Sequence, residues 1–189
     1  MNYACLAKQA YQDPPYQIIP IRRRDMSRIK EWRNEQMDCL RQDQPLTDVD
    51  QERYWSQTIE PSFSLEEPKQ ILFSYLLEEA CIGYGGLTHC DWGDKRAEVS
   101  FILQTDRTED PVLYEKEMII FLTLLKKVAF QDLKFHRLFT ETFDIRPHHI
   151  SILEKFGFLQ EGRLKEHVMI NGKYVDSLIH GFLRKYDDA

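Results

Sequence analysis

The chain has 189 residues, 42% hydrophobic and 12% aromatic, with a formal net charge of -6. That length suits one domain with a core of its own, and the acidic balance speaks against a general nucleic-acid binder, whose footprint is a basic surface. Cys5, Cys39, Cys81 and Cys90 form no CxxC pair and read as reduced thiols, not as a disulfide frame or zinc site, and no apolar run is long enough to span a membrane.

Residues 1–15 end in Asp13-Pro14-Pro15 and read as an N-terminal arm, loose or carrying a short extra helix; the domain proper is expected over 16–189. The first residues lack the basic start and long apolar stretch of a secretory leader, so a cytoplasmic, soluble protein is expected. Tyr16 to Ile21 alternates as a first strand. Arg22-Arg23-Arg24 follows and reads either as a phosphate-binding patch or, more ordinarily, as a solvated strand-to-helix corner. Asp25 is placed to cap a helix running to about Leu40, with Met26, Ile29, Trp32 and Met37 on its apolar side. Thr47-Asp48-Val49-Asp50 is an imperfect capping box for a second helix that Pro61 is expected to end.

Gln70 to Leu77, Ala80 to Asp91 and Arg96 to Leu103 then read as three strands of an antiparallel meander, turning at Glu78-Glu79. Gly83, Gly85 and Gly86 suit a close backbone approach better than a phosphate loop, because no helix follows them. Asp110-Pro111 opens the longest helix, to about Phe130. It is apolar nearly all round, as a central, buried helix is. Arg137 to Phe143 is a strand, expected parallel to the one before that helix. Pro147 opens a last helix, which Gly157 closes as a left-handed cap. Two final strands flank Asn171-Gly172, both residues of which tolerate the positive φ of a tight hairpin. An apolar edge at this hairpin would suit a homodimer. The histidines at positions 148, 149, 167 and 180 have no spacing that demands a metal, and none is expected.

The ending Leu153-Glu154-Lys155-Phe156-Gly157-Phe158, then Glu161-Gly162, then Asn171-Gly172-Lys173-Tyr174-Val175-Asp176, resembles that of GNAT-family N-acetyltransferases. It is most similar to the branch of ribosomal-protein N-terminal acetyltransferases (RimJ/RimL type). Trp32-Arg33-Asn34, followed by a helix with Trp55, also resembles acetyltransferases of amino-sugar nucleotides in the pseudaminic-acid pathway. The resemblance covers roughly residues 16 to 185. It implies an α/β fold with a central mixed sheet of six to seven strands, two of them parallel and splayed, flanked by about four helices. It implies acetyl-CoA as co-substrate, no metal, and a primary amine as acceptor: a small amine, an amino-sugar nucleotide or a protein N-terminus.

Residue roles follow from the same resemblance. Acetyl-CoA would lie along the splayed strand at Phe101, Ile102 and Leu103, with its pyrophosphate at the start of the long helix near Tyr114, Glu115 and Lys116, and with Arg146 beside it. The family's glycine-rich phosphate loop is missing, since no glycine occurs from Asp94 to Phe156. Lys116 would then supply by charge what backbone N–H groups supply elsewhere in the family; otherwise acetyl-CoA binding is lost and the chain is a GNAT-shaped binding module. Amide formation needs a base to free the amine and a proton for the departing thiolate. Glu98 is the first candidate for the base, with His89 and Glu141 in reserve. The tyrosine that often protonates the thiolate is replaced by Leu153, and His149 is the candidate in its stead. Trp32, Arg33, Asn34 and Asp176 are candidates for the acceptor side.

Overall fold

One mixed sheet runs through the computed structural model, which describes residues 1–186; residues 187–189 of the expected domain lie outside the described residues. The strands are β1 (Tyr11–Asp13), β2 (Tyr16–Pro20), β3 (Ile71–Leu77), β4 (Ala80–Asp91), β5 (Arg96–Leu103), β6 (Arg137–Phe143), β7 (Leu159–Ile170) and β8 (Lys173–Leu183). They stand in the order β1-β2-β3-β4-β5-β6-β8-β7. The helices are α1 (Met26–Glu35), α2 (Asp48–Tyr54), α3 (Glu60–Ser62), α4 (Thr105–Thr108), α5 (Pro111–Lys126) and α6 (Pro147–Phe156). This is the mixed α/β fold expected, with one strand more, because the N-terminal segment contributes β1.

That segment packs. Tyr3 is buried, and its hydroxyl donates to the Leu72 carbonyl at 3.1 Å while accepting from the Leu72 N–H at 2.8 Å. One tyrosine thus satisfies both backbone groups of a β3 residue. The apolar anchors Tyr3, Leu6 and Tyr11 hold the segment to the core cluster, so it is neither a loose arm nor a helix.

Strand β3 is buried along almost its whole length, which is why it reads as a continuous apolar run and not an alternating one. Helix α5 packs against the sheet, with Met118, Phe121, Leu122, Leu124 and Leu125 all buried. Asp25 does not cap α1 with its side chain. It is buried and gives its carboxylate to Arg22, at 2.6 Å, and to Ser74, at 2.7 Å. The helical run that opens at Asp48 continues through a π turn at Trp55–Ile59 and stops at Ser62, one residue past Pro61. The expected Thr47–Asp50 capping box is present on α2. At the last hairpin Asn171 and Gly172 both take positive φ, 49° and 75°.

The feature that positions the site is the parallel pair. Strands β5 and β6 pair only at Arg96–Arg137, Ala97–Leu138 and Glu98–Phe139. Beyond that point β5 stays laddered to β4 as far as Leu103, and β6 stays laddered to β8 as far as Phe143. Each strand is held by its outer neighbour, and the two inner edges part. Backbone donors and acceptors along those edges are left without a strand partner, which a protein interior does not leave unused.

Candidate active site

The gap between β5 and β6 opens into a cleft of about 650 Å³. Glu98 occupies the last paired position of β5, so its carboxylate stands where the strands begin to part. It is buried, and it accepts from Arg41 at 2.8 Å. His89 Nδ1 lies 2.7 Å from its other oxygen. A bulge in β4 between Thr88 and Asp91, where His89 takes a φ of 48°, turns that ring toward Glu98. Arg41 also donates to Glu141 on β6 at 2.8 Å, so one guanidinium spans two cleft carboxylates. His167 comes within 3.6 Å of Glu141 from the outer hairpin.

The helix side of the cleft is shaped by Arg146, just ahead of α6, by His149 and Leu153 from α6 and by Met118 and Leu122 from α5. The Tyr114 hydroxyl lies 2.7 Å from His149 Nδ1 and accepts from Arg146 at 3.0 Å. Burial holds His149 well below the usual imidazole range, and the positive charge of Arg146 pushes it further down. Burial raises the Tyr114 phenol, against the opposing pull of Arg146. On the cleft wall the Thr140 hydroxyl is buried and has no hydrogen-bond partner among the described residues.

The start of α5, which meets the cleft wall through the Tyr114 hydroxyl, is closed on itself. Pro111 has no N–H to offer, and the Asp110 carboxylate takes those of Val112, at 2.9 Å, and Leu113, at 3.2 Å. The Tyr114 N–H goes to the Asp110 carbonyl. His148 Nε2 donates to the Pro111 carbonyl at 3.0 Å, and Lys155 pairs with Glu115 at 2.9 Å.

The candidates drawn from sequence fall into two groups. Glu98, His149, Phe101, Arg146 and Arg33 line the cleft, as do the reserves His89 and Glu141. Tyr114 reaches that wall through its hydroxyl. The others stand apart. Lys116 is exposed and lies 5.6 Å above the ring of Tyr16, so it is not turned toward the cleft. Glu115 is engaged by Lys155. Ile102 and Leu103 are buried further along β5, and Trp32 is buried in the core. Asp176 braces the last hairpin, accepting from Arg163, Lys165 and the Glu166 N–H. Those donors, Arg163 foremost, hold its carboxyl well below the usual carboxylate range. Asn34 ties down the loop after α1, bonding to Leu46 on both its backbone groups and to Gln42. That loop carries Arg41, which no motif or periodicity marks. No cluster of His, Cys, Asp or Glu suited to a metal ion occurs among the described residues.

A family model described as an acetyltransferase (GNAT) domain matches residues 18–179. No curated protein sequence matches the chain. Among solved structures, a mutant form of the spermidine/spermine N-acetyltransferase SpeG from Vibrio cholerae superposes with a TM-score of 0.77 at 19% identity, over 92% of this chain and 96% of that one. The same organism's spermidine N-acetyltransferase in complex with CoA and spermine gives 0.75 at 18% identity, over 92% and 98%. The ribosomal-protein-S5-alanine acetyltransferase from Vibrio fischeri gives 0.71 at 15% identity, over 93% and 97%. At such identities the likeness is one of fold.

Proposed function

The chain belongs to the GNAT acetyltransferase family, and from that premise we propose that it transfers an acetyl group from acetyl-CoA to a primary amine. The observation that carries the reading is the parting of β5 and β6 directly after Glu98. It leaves backbone groups for a thioester arm on one side and sets a carboxylate at the point of attack. The cleft suits the acyl end of acetyl-CoA: Phe101, Leu122 and Leu153 supply apolar wall, and the Thr140 hydroxyl is free to bond. Glu98 takes the proton of the attacking amine, and His149 supplies one to the departing sulfur. Arg146 has donors to spare beyond the one given to Tyr114, enough to hold a polar part of the co-substrate.

Two carboxylates at the cleft floor favour an acceptor that carries positive charge. The ending Leu153 to Asp176 favours the RimJ/RimL type of acceptor, a protein N-terminus, and a polyamine is the small-molecule counterpart. We place the protein in the cytoplasm, as a soluble domain over residues 16–189 preceded by the packed N-terminal segment.

Calorimetric titration with acetyl-CoA, followed by thiol-release assays with spermine and with an alanine-headed peptide, tests the reading. Micromolar binding and thiol release with either probe are expected. Lys116→Ala should leave the affinity within about twofold, because its ammonium lies over Tyr16 and not at the cleft. A second reading has its own observation. The Asp110 carboxylate already fills the donors at the α5 terminus where a diphosphate would sit. No binding at millimolar acetyl-CoA would make the chain a GNAT-shaped binding module.

A further inference from the structure

Where α5 crosses α6, three side chains are bonded in a pattern that admits one placement of protons. The Tyr114 phenol accepts from Arg146 Nη2, because a guanidinium only donates. The phenol then has a single proton to place, and His149 Nδ1 lies 2.7 Å away. Were Nδ1 also a donor, the phenol proton would have no partner in a buried setting, and such groups are almost always paired. Tyr114 therefore donates and Nδ1 accepts. His149 is neutral, since burial and the nearby Arg146, His148 and His180 all oppose its cation. A neutral ring whose Nδ1 accepts carries its proton on Nε2. His149 lines the cleft, and its Nε2 makes no hydrogen bond to any described residue. Leu153, one helical turn further along α6 on the same wall, has no proton to give.

We propose that Tyr114 is a positioning residue for the acetyl transfer proposed above, on which this inference rests: its hydroxyl fixes His149 as the Nε2–H tautomer and so presents a proton to the departing thiolate. As the carbon–nitrogen bond forms and the carbon–sulfur bond breaks, the amine proton passes to Glu98 and the Nε2 proton to sulfur. Nδ1 takes the phenol proton as Nε2 loses its own, and the phenolate rests against Arg146. The proton on Glu98 then returns to Nε2 through solvent, and Nδ1 hands its proton back to the phenolate. Over the cycle one proton has moved from amine to sulfur, and the three side chains are restored.

The test compares wild type, Tyr114→Phe, His149→Gln and the double variant. Acetyl-CoA is the donor, spermine and an alanine-headed peptide are the probe acceptors, and nitrogen NMR of the His149 ring is recorded in parallel. Tyr114→Phe is expected to lower kcat by about tenfold or more, within the range of general acid catalysis, with KM for acetyl-CoA within about twofold. In the His149→Gln background the same change should cost less than about twofold, because the two side chains act as one unit. The ring nitrogens should show Nε2–H in wild type and lose that preference in Tyr114→Phe. A raised KM at constant kcat, additive losses, or a tautomer indifferent to Tyr114 would each overturn the proposal. A wild type that neither binds acetyl-CoA nor releases thiol would overturn the acetyltransferase reading and this role with it. The nitrogen spectra would then still say whether the Tyr114–His149 bond exists, which separates that failure from the others.

Discussion

At the sheet end of the cleft, β5 and β6 part after Glu98 and Phe139 and leave their inner edges unpaired, whereas at the helix end the first turn of α5 has no N–H left to give. The sheet end is open because each strand is fully laddered to a different outer neighbour. The helix end is closed because Pro111 brings no N–H, because the Asp110 carboxylate takes those of Val112 and Leu113, and because His148, His149 and Lys155 of α6 bond across to α5. The opening of strands is a property of topology and survives changes of side chain. An anion site at a helix terminus is a property of its loop, and a few side chains are enough to fill it.

The sharpest way to break this contrast is at the open end. Glu98→Gln keeps the shape of the side chain and an oxygen for Arg41 but removes the proposed base. Acetyl transfer is expected to fall about a hundredfold or more, the scale of a lost general base, while calorimetry shows acetyl-CoA binding unchanged. An undiminished kcat would remove the carboxylate of the strand junction from the chemistry.

At the closed end the decisive change is Asp110→Asn. Asparagine caps as well as aspartate does, so stability in thermal unfolding should fall by no more than about 1 kcal/mol, the contribution of the charge itself at the terminus. The negative charge is gone, however, and a charge at a helix terminus is worth about 1 kcal/mol. Acetyl-CoA should therefore bind about fivefold more tightly to the variant, by that same magnitude. An unchanged affinity would mean that the diphosphate is seated away from α5.

The same contrast decides what was legible in the sequence. Elements written in periodicity and turn chemistry could be read directly: the apolar run of β3, the all-round apolar α5, Gly157 at a φ of 109°, and the hairpin at Asn171-Gly172. Glu98 could be assigned to the strand beside the cleft, but alternation set it on the face opposite Val99 and Phe101, whereas all three line the cleft where the strands part. Contacts between side chains far apart in sequence could not be placed. Lys116 looked like a phosphate ligand by its position at the head of a helix, but helical rotation turns it to Tyr16 on β2. Asp25 looked like a cap, but the fold brings Ser74 to it and its carboxylate is spent there. Arg41 was invisible, because nothing local reveals that Asn34 holds its loop over the cleft.

Arg41 is also the residue that qualifies the openness of the sheet end. Its guanidinium, about half exposed, bonds to Glu98 and Glu141 together, where a cationic acceptor would have to arrive. An incoming ammonium must displace it or share the carboxylates with it. The strength of the hold is modest, since ion pairs of this exposure are worth about 0–1 kcal/mol. Arg41→Ala is therefore the smallest of the expected effects: KM for spermine falls by about threefold, as the loss of a competitor of that strength implies, while kcat and the KM for acetyl-CoA hold. A neutral aromatic amine, which has no charge to contest, should show no change in KM. If instead KM for spermine rises, Arg41 belongs to the acceptor's binding surface, and both ends of the cleft are closed by the protein's own side chains until substrate rearranges them.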